Sequence, residues 1–474
     1  MDIQEFRTTA HKLVDWMANY FEHIEDYPVK AQVKPGSIFE QIPNQAPGTG
    51  EEIQKIIEDF EKVILPGMTH WQHPNFHAYF NGNSSYPSVL AEMLTATLAA
   101  QCMIWETSPA ATELEEKMME WLKDLLHLPQ QWSGVIQDGA STATLVSLLT
   151  AREKATQHQV NRQGLQDKPV FRVYCSHQAH SSVEKAVRIA GLGQENLIKV
   201  DVDQNFALDP QDLTNKIQQD LDKGYTPLWM VATLGTTGST AVDPVPEMAA
   251  LCKEYGTWLH VDAAWAGTAL MLPSHQWLGQ GIEHADSFVF NPHKWMFTNF
   301  DCTAYFVSDD ELLQRTFTLV PEYLKTRSHG QVNNYSDWGI QLGRRFRALK
   351  LWFVMRSFGK KGLRDKITEH VTWAEQLAEE IRTHQQFELL VEAPLATVCF
   401  RLKPGDHTTE ELNTLNETLL HRINQTGKIY LTHTKLNGVY TIRLVVGQTY
   451  QQKRHIDKAW SLIQNIAQEL LAQD

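Results

Sequence analysis

Residues 285–307, ADSFVFNPHKWMFTNFDCTAYFV, are the stretch whose reading decides the fold. An apolar run from Ser287 to Phe290 stops at Asn291-Pro292, a His-Lys pair follows, and a second apolar run spans Thr303 to Val307. Short apolar runs bounded by turn residues read as buried strands. The first ends in Lys294, set in a sleeve of Trp295, Phe297 and Phe300. A lysine amine ordinarily titrates near about 10.4 and prefers water. Aromatic surroundings favour its neutral form, and a neutral amine can attack a carbonyl to form a Schiff base. A lysine whose stem packs on the rings while its ammonium reaches water fits the stretch equally well.

Upstream the same rhythm repeats. FRVYCS precedes a helix over 180–190, LIKVDVD one over 209–222 and PLWMVATLG one over 245–255, with TWLHVDA, SFVFN and TAYFV as further strands. Such alternation predicts an α/β fold with a largely parallel sheet covered on both faces. Ligands bind beyond the carboxyl ends of such strands, where Ser141, His180, Thr237, Asp262 and Lys294 fall. GVIQDGASTATLVSLLTAREKA reads as a strand, a turn and a helix whose small first residues leave N–H groups for an anion such as phosphate. A plain N-cap reads the same way.

Further out, the spacing predicts helices over 5–25 and 51–64 joined by the Pro- and Gly-rich arm KPGSIFEQIPNQAPGTG. This pair buries little alone, so it packs on a second copy or on the main domain. Past Leu351 come a helix over 361–384, strands FELLVE and ATVCFRLK, a helix over 409–424, a hairpin turning at Asn437-Gly438 and a last helix over 451–472. The expected organisation is an N-terminal helical dimerisation segment (1–85), a large α/β domain (86–350) and a small α+β domain (351–474).

The composition is that of a globular chain: 474 residues, 42% hydrophobic and 21% charged. A net charge of -14 argues against nucleic acid or an anionic membrane as partner. The five widely spaced cysteines suit reduced thiols in the cytoplasm. The N-terminal stretch carries charges through an amphipathic helix pattern, which reads as neither a signal peptide nor a membrane span. No GxGxxG stands at a strand-to-helix turn, and GxxxxGK[ST] does not occur. No metal is expected: His70, His73 and His77 lack a neighbouring carboxylate or thiol, and Cys175, His177 and His180 lack a second ligand pair.

An electron-sink cofactor needs an amine to hold it, an acid on its ring nitrogen, a face to stack on and an anion site. Lys294, Asp262 after WLHV, His180 in CSHQAHSS and the start of the helix at Ser141 are candidates in that order. Asp262 could equally cap a neighbouring helix.

NPHKW (291–295), HVDAAWAG (260–267), QAHSSVEKA (178–186), ATLGTTG (232–238) and LGRRFRALK (342–350) closely resemble the group II pyridoxal-phosphate decarboxylases, and among them the aromatic-L-amino-acid decarboxylases. The resemblance covers nearly the whole chain. It implies the fold of pyridoxal-phosphate-dependent transferases (fold type I) with a seven-stranded sheet, pyridoxal 5'-phosphate as cofactor, and a homodimer with shared active sites to which Gln101 and Met103 reach across. It makes Lys294 the residue that carries the cofactor, Asp262 the partner of the pyridine nitrogen and His180 the stacking residue. Ala140, Ser141, Asn291 and His293 hold the cofactor, mainly its phosphate, and Thr237 contacts the ring side. Tyr323 in VPEYLKTRSHGQ matches the tyrosine of the mobile loop that protonates Cα. Trp71, Tyr79, Phe80, Gly82, Met103, His180 and Gly343 line the substrate pocket.

The implied activity is decarboxylation of tyrosine, dihydroxyphenylalanine, tryptophan or phenylalanine to the amine. Gly343 stands where related histidine decarboxylases tend to carry serine, which favours a bulky aromatic substrate. Gly82 replaces a threonine of the animal enzymes, Met103 a phenylalanine and Trp265 a tyrosine, and two residues are missing between Tyr323 and Trp338. These changes bear on the substrate and on loop closure, not on the chemistry. Alternatives on the same fold are a glutamate or histidine decarboxylase, an aldehyde-forming oxidative enzyme, or an aminotransferase. The last must keep the α-carboxylate, for which Arg443 is the tempting cation. A catalytically dead binding protein is disfavoured by the joint presence of Lys294, Asp262, His180 and Tyr323.

Overall fold

A computed structural model describes residues 1–319, 331–392 and 395–473. In chain order the first elements are α1 (Ile3–Glu22), α2 (Ile53–Asp59), α3 (Tyr86–Leu98), α4 (Pro109–Leu126), β1 (Ser133–Gln137), α5 (Ala140–Ala155), α6 (Val160–Gln163), β2 (Phe171–Ser176), α7 (Ser182–Ile189), β3 (Leu197–Val200), α8 (Pro210–Asp222), β4 (Thr226–Thr233) and α9 (Val245–Tyr255). There follow β5 (Trp258–Asp262), β6 (Ser287–Phe290), β7 (Thr303–Val307), α10 (Asp310–Phe317), α11 (Arg347–Thr383), β8 (Phe387–Val391), β9 (Thr397–Leu402), α12 (Thr409–Gln425), β10 (Thr432–Leu436), β11 (Val439–Val445) and α13 (Lys453–Leu471). Among the described residues no helix is long and apolar enough to cross a membrane.

The chain forms two compact units. The larger comprises Gly82–Glu375 with Val391–Thr397. Its seven-stranded sheet has the order β1-β7-β6-β5-β4-β2-β3. β7 runs antiparallel to both neighbours, and the other adjacent pairs are parallel. The central strands β5, β6 and β7 are buried along their whole length, which explains why they read as unbroken apolar runs rather than alternating ones. α5 lies over the middle of the sheet, and its Val146 and Leu148 join Val173, Trp229, Val289 and Tyr305 in one core. α11 is two helices divided at Gly359, whose φ of 63° and ψ of 169° leave the helical region. The sequence pattern therefore starts the expected helix at 361, on the far side of a break.

The other unit groups Met1–Asn81 with Gln376–Leu390 and Val398–Asp474. Its sheet has the order β10-β11-β9-β8. The β10–β11 hairpin turns at Asn437 and Gly438, both with positive φ (49° and 83°), the geometry of a two-residue type I′ turn. Residues 69–81 are sewn to this sheet: His77 N–H donates to Tyr430 O (3.0 Å) and Val445 N–H to His77 O (3.0 Å). α1 and α2 contain no buried residue, and Ile3, Phe6 and Val14 are exposed. The expectation that these helices bury little within one chain agrees with this.

Candidate active site

β6 delivers Lys294 to the carboxyl end of the sheet. The chain leaves the strand at Asn291, whose N–H donates to Ala264 O (2.9 Å) beyond β5 and whose side-chain oxygen accepts from the Thr303 hydroxyl (2.8 Å). Lys294 N–H then donates back to Asn291 O (2.9 Å). Asn83 clamps the turn, its N–H donating to His293 O (2.8 Å) and its side-chain amide to Lys294 O (2.5 Å). His293 is buried and its Nδ1 accepts the Cys302 N–H (2.9 Å), so it is neutral; burial pushes its pKa down to about 3. Burial likewise lowers the pKa of the Lys294 amine, and the Asp262 carboxylate opposes that shift. Lys294 itself is half-buried.

The sleeve differs from expectation at one position. Trp295 and Phe297 are fully buried, but Phe300 is exposed and leans on His293 (centroids 4.8 Å apart). His293 N–H donates to Cys302 O (3.2 Å), and this return of the chain turns Phe300 outward. Its place beside Trp295 and Phe297 is taken by Trp265, Phe358 and His370.

Asp262 closes β5, is buried, and accepts the Ala264 N–H at Oδ1 (3.0 Å). His180 follows β2 and is exposed. Its Nδ1 accepts the Ser182 N–H (3.2 Å) and lies 2.9 Å from the Ser182 hydroxyl, which puts the ring hydrogen on Nε2. Desolvation lowers its pKa, a shift that the Asp262 carboxylate opposes and Lys294 adds to. Thr237 is exposed in the turn after β4, and Ala140 and Ser141 open α5 beyond β1. Thr142 and Ala143 donate to Gly139 O (both 3.1 Å), leaving the N–H groups of Ala140 and Ser141 without an acceptor among the described residues. No side chain caps this end of the helix, and a Cβ added at Gly139 would meet nothing within 4 Å. An open, uncapped helix N-terminus suits a phosphate. An amine, a carboxylate, an imidazole and this cradle fit pyridoxal phosphate.

In the same unit Met103 and Gly343 lie on neighbouring segments. Cys102 N–H donates to Arg344 O (3.0 Å), Arg344 N–H to Gln101 Oε1 (2.8 Å) and Ser336 N–H to Met103 O (2.8 Å). Gly82 directly precedes Asn83. Trp71, Tyr79 and Phe80 belong to the other unit. There Trp71 packs on Phe76 (4.4 Å) and Tyr79 (5.7 Å), the Tyr79 hydroxyl meets that of Tyr430 (3.1 Å), and Phe80 lies under the Arg443 guanidinium (5.3 Å). Arg443 is buried and reaches the Thr432 hydroxyl (3.3 Å). Tyr323 lies outside the described residues. His70 bonds the Tyr20 hydroxyl (2.7 Å), His73 accepts the Asn75 N–H (2.9 Å), and His77 bonds Val445 O (3.0 Å), which gives each of the three a structural partner.

Sequence reasoning missed Asn83, His260 and His370. Their partners lie far away in the chain, and only the run of small polar residues at 81–85 hinted at a turn packed on another segment.

The model of the pyridoxal-dependent decarboxylase conserved domain matches residues 35–403. The chain is 41% identical to tyrosine decarboxylase 2 of Narcissus pseudonarcissus over 100% of its own length and 96% of that protein's. It is 40% identical to phenylacetaldehyde synthase of Arabidopsis thaliana, over 99% and 97%. The crystal structure of Catharanthus roseus tryptophan decarboxylase in complex with L-tryptophan superposes with a TM-score of 0.93 at 38% identity, covering 99% of each chain. The fold is fold type I, and this chain is a member of the pyridoxal-dependent decarboxylase family.

Proposed function

We propose that the protein converts an aromatic L-amino acid (tyrosine, dihydroxyphenylalanine, tryptophan or phenylalanine) to its amine and carbon dioxide. The observation that carries this reading is the placing of Lys294 and Asp262 beyond the ends of the adjacent parallel strands β6 and β5, where the Asp262 carboxylate opposes the lowering of the lysine pKa by burial. The names of its relatives, tyrosine decarboxylase, tryptophan decarboxylase and phenylacetaldehyde synthase, favour aromatic substrates.

When bound, pyridoxal phosphate supplies an electron sink for the bond that breaks. Lys294 would hold it covalently. Asp262 would keep its ring nitrogen protonated and His180 would lie on its face. The N–H groups of Ala140 and Ser141, with Asn291 and His293, would bind its phosphate, and Thr237 would meet the ring edge. Gly82, Met103 and Gly343 would line the substrate pocket. Tyr323 would deliver the proton to Cα as general acid, and its loop would exclude water. The unburied α1 and α2 support a homodimer with shared sites. The five buried, unbridged cysteines support a reducing cytoplasm as its location.

The test is an assay of the purified protein with pyridoxal phosphate against tyrosine, dihydroxyphenylalanine, tryptophan, phenylalanine, histidine and glutamate, following carbon dioxide, amine and aldehyde separately. Amine from the aromatic substrates is expected. Turnover of glutamate alone would overturn the reading. The 40% identity to a phenylacetaldehyde synthase favours a second reading, in which aldehyde accumulates with oxygen uptake.

A further inference from the structure

Trp258, His260 and Asp262 alternate onto one face of β5, the face that meets α5. A small polar network lies there in apolar surroundings. The Trp229 indole N–H donates to Ser147 Oγ on α5 (3.0 Å), and that of Trp258 is shared between Ser147 Oγ (3.1 Å) and Ser287 Oγ on β6 (3.0 Å). Two indole donors fill the acceptor capacity of Ser147, whose proton is left to Ser287, 2.9 Å away, or to the Tyr305 hydroxyl, which also bonds both serines. The Ser287 proton then goes to His260 Nδ1 (2.9 Å). With Ser287 as the donor, His260 is a neutral imidazole with its hydrogen on Nε2.

His260 is fully buried, and Trp229 lies against its ring (centroids 5.6 Å apart, planes 16° apart). Its Nε2 has no hydrogen-bond partner among the described residues. A buried, unmet N–H is costly and calls for an explanation. Asp262, two residues along on the same face, is the charged group that acts on His260, and Tyr305 of β7 is the other titratable group beside it (centroids 6.3 Å apart).

We propose that His260 is a positioning residue of the decarboxylase site: its Nε2–H donates, through one bound water, to the Asp262 carboxylate, and keeps that carboxylate turned toward the pyridine nitrogen. The inference rests on the role given to Asp262 above. Burial holds the His260 pKa down to about 4, so it remains a neutral donor across the working range. The same network registers the three elements that carry the site, because Ser147 follows Ser141 by six residues on α5 and Ser287 precedes Lys294 by seven.

The test compares wild type, His260→Phe (ring volume without the N–H) and His260→Gln (an outer N–H donor and an acceptor for Ser287), each purified full-length with pyridoxal phosphate. The readouts are melting temperature, the pH titration of the bound cofactor's visible absorbance, and kcat and KM. For His260→Phe a pH transition displaced by about one unit or more is expected. Its kcat should fall about tenfold or more while KM changes little, with His260→Gln close to wild type in both. Equal damage in the two variants, or an unchanged titration and kcat in His260→Phe, overturns the proposal. Should His260→Phe not fold, His260→Asn, which keeps an acceptor for Ser287 but no outer donor, takes its place. The absorbance titration needs no substrate, so a wild-type protein that fails to turn over aromatic amino acids sinks the function reading and leaves this test intact.

Discussion

The indole of Trp295, the residue after Lys294, lies face to face with that of Trp265, three residues beyond Asp262: their centroids are 4.2 Å apart and their planes 1° from parallel. Both rings are fully buried, and the Trp295 N–H donates to His370 Nδ1 (3.0 Å). The turn bearing the lysine and the turn bearing the aspartate therefore share one packed stack.

Removing one half of that stack should cost both stability and rate. Trp265→Ala is expected to destabilise the protein by about 3–5 kcal/mol through the cavity it leaves. A displacement of Lys294 of order 1 Å would lower kcat/KM by about 10²-fold. Trp265→Tyr, which restores the residue of the animal enzymes, keeps an aromatic face and should cost less than about 1.5 kcal/mol. Urea melts and steady-state kinetics on the two variants check the order, and equal effects would show that the stack does not position the lysine.

Lys294 itself is expected to be indispensable for turnover yet costly for the cofactor-free fold. Its folded pKa lies below its unfolded value, so between the two values the unfolded chain holds more protons and stability rises with pH. At neutral pH burial of the amine is thus unfavourable. Lys294→Met, with a similar stem and no charge, should lower activity by at least about 10³-fold while the cofactor-free protein melts no lower than wild type. A lower melting temperature would mean that the amine is a net stabilising group.

What was legible in the sequence follows from the range of the interactions concerned. SFVFN, TAYFV and PLWMVATLG could be read as strands because burial on both faces leaves an unbroken apolar run, and Ser141, His180, Thr237, Asp262 and Lys294 could be placed because each stands just beyond such a run. Asn83 and His370 act on residues 211 and 75 positions away, and nothing in their own neighbourhoods announces this. Phe300 was misplaced for the converse reason, since proximity in sequence says nothing of a chain that doubles back between His293 and Cys302.

Acid should unfold the protein through its buried histidines. Burial lowers His73, His77 and His260 to about 4 and His293 and His370 to about 3. Their folded pKa values lie below the unfolded value of about 6.5, so their contribution is intact above that value and is lost as pH falls toward 4. Each can remove up to about 1.4 kcal/mol per pH unit. Asp243, raised to about 7 by burial, works in the opposite sense but is one group against five. Melting temperature should drop steeply between pH 6.5 and 4.5, and a flat profile there would contradict these shifts.

A side chain at residue 343 should cut into the room for bulky substrates. A Cβ there would sit 3.3 Å from Gln101 Nε2, and Gln101 is anchored at its other end by the Arg344 N–H. Gly343→Ser is therefore expected to lower kcat/KM for tryptophan by roughly 10- to 100-fold with a much smaller effect for histidine or none. The measurement is the ratio of the two kcat/KM values, and an unchanged ratio would remove residue 343 from the pocket.

Arg344 and Glu115 form a buried ion pair (2.6 Å) that holds the Gly343 segment to the body of the larger unit. The same guanidinium donates to Ile136 O (2.8 Å) and lies 4.8 Å from the centre of the Tyr335 ring, while Glu115 Oε1 also accepts the Ile136 N–H (2.8 Å). Glu115→Gln leaves the cation buried without its counter-charge and should cost about 3–5 kcal/mol. Arg344→Met strands the carboxylate in the same way. The double variant Glu115→Met/Arg344→Met buries no unpaired charge, so its loss should be well below the sum of the two single losses. Urea melts of the three variants decide the matter: strict additivity would show that the pair is not coupled. If the double variant is stable but its KM for aromatic substrates rises, the ion pair serves chiefly to place Met103 and Gly343, and only secondarily to hold the fold.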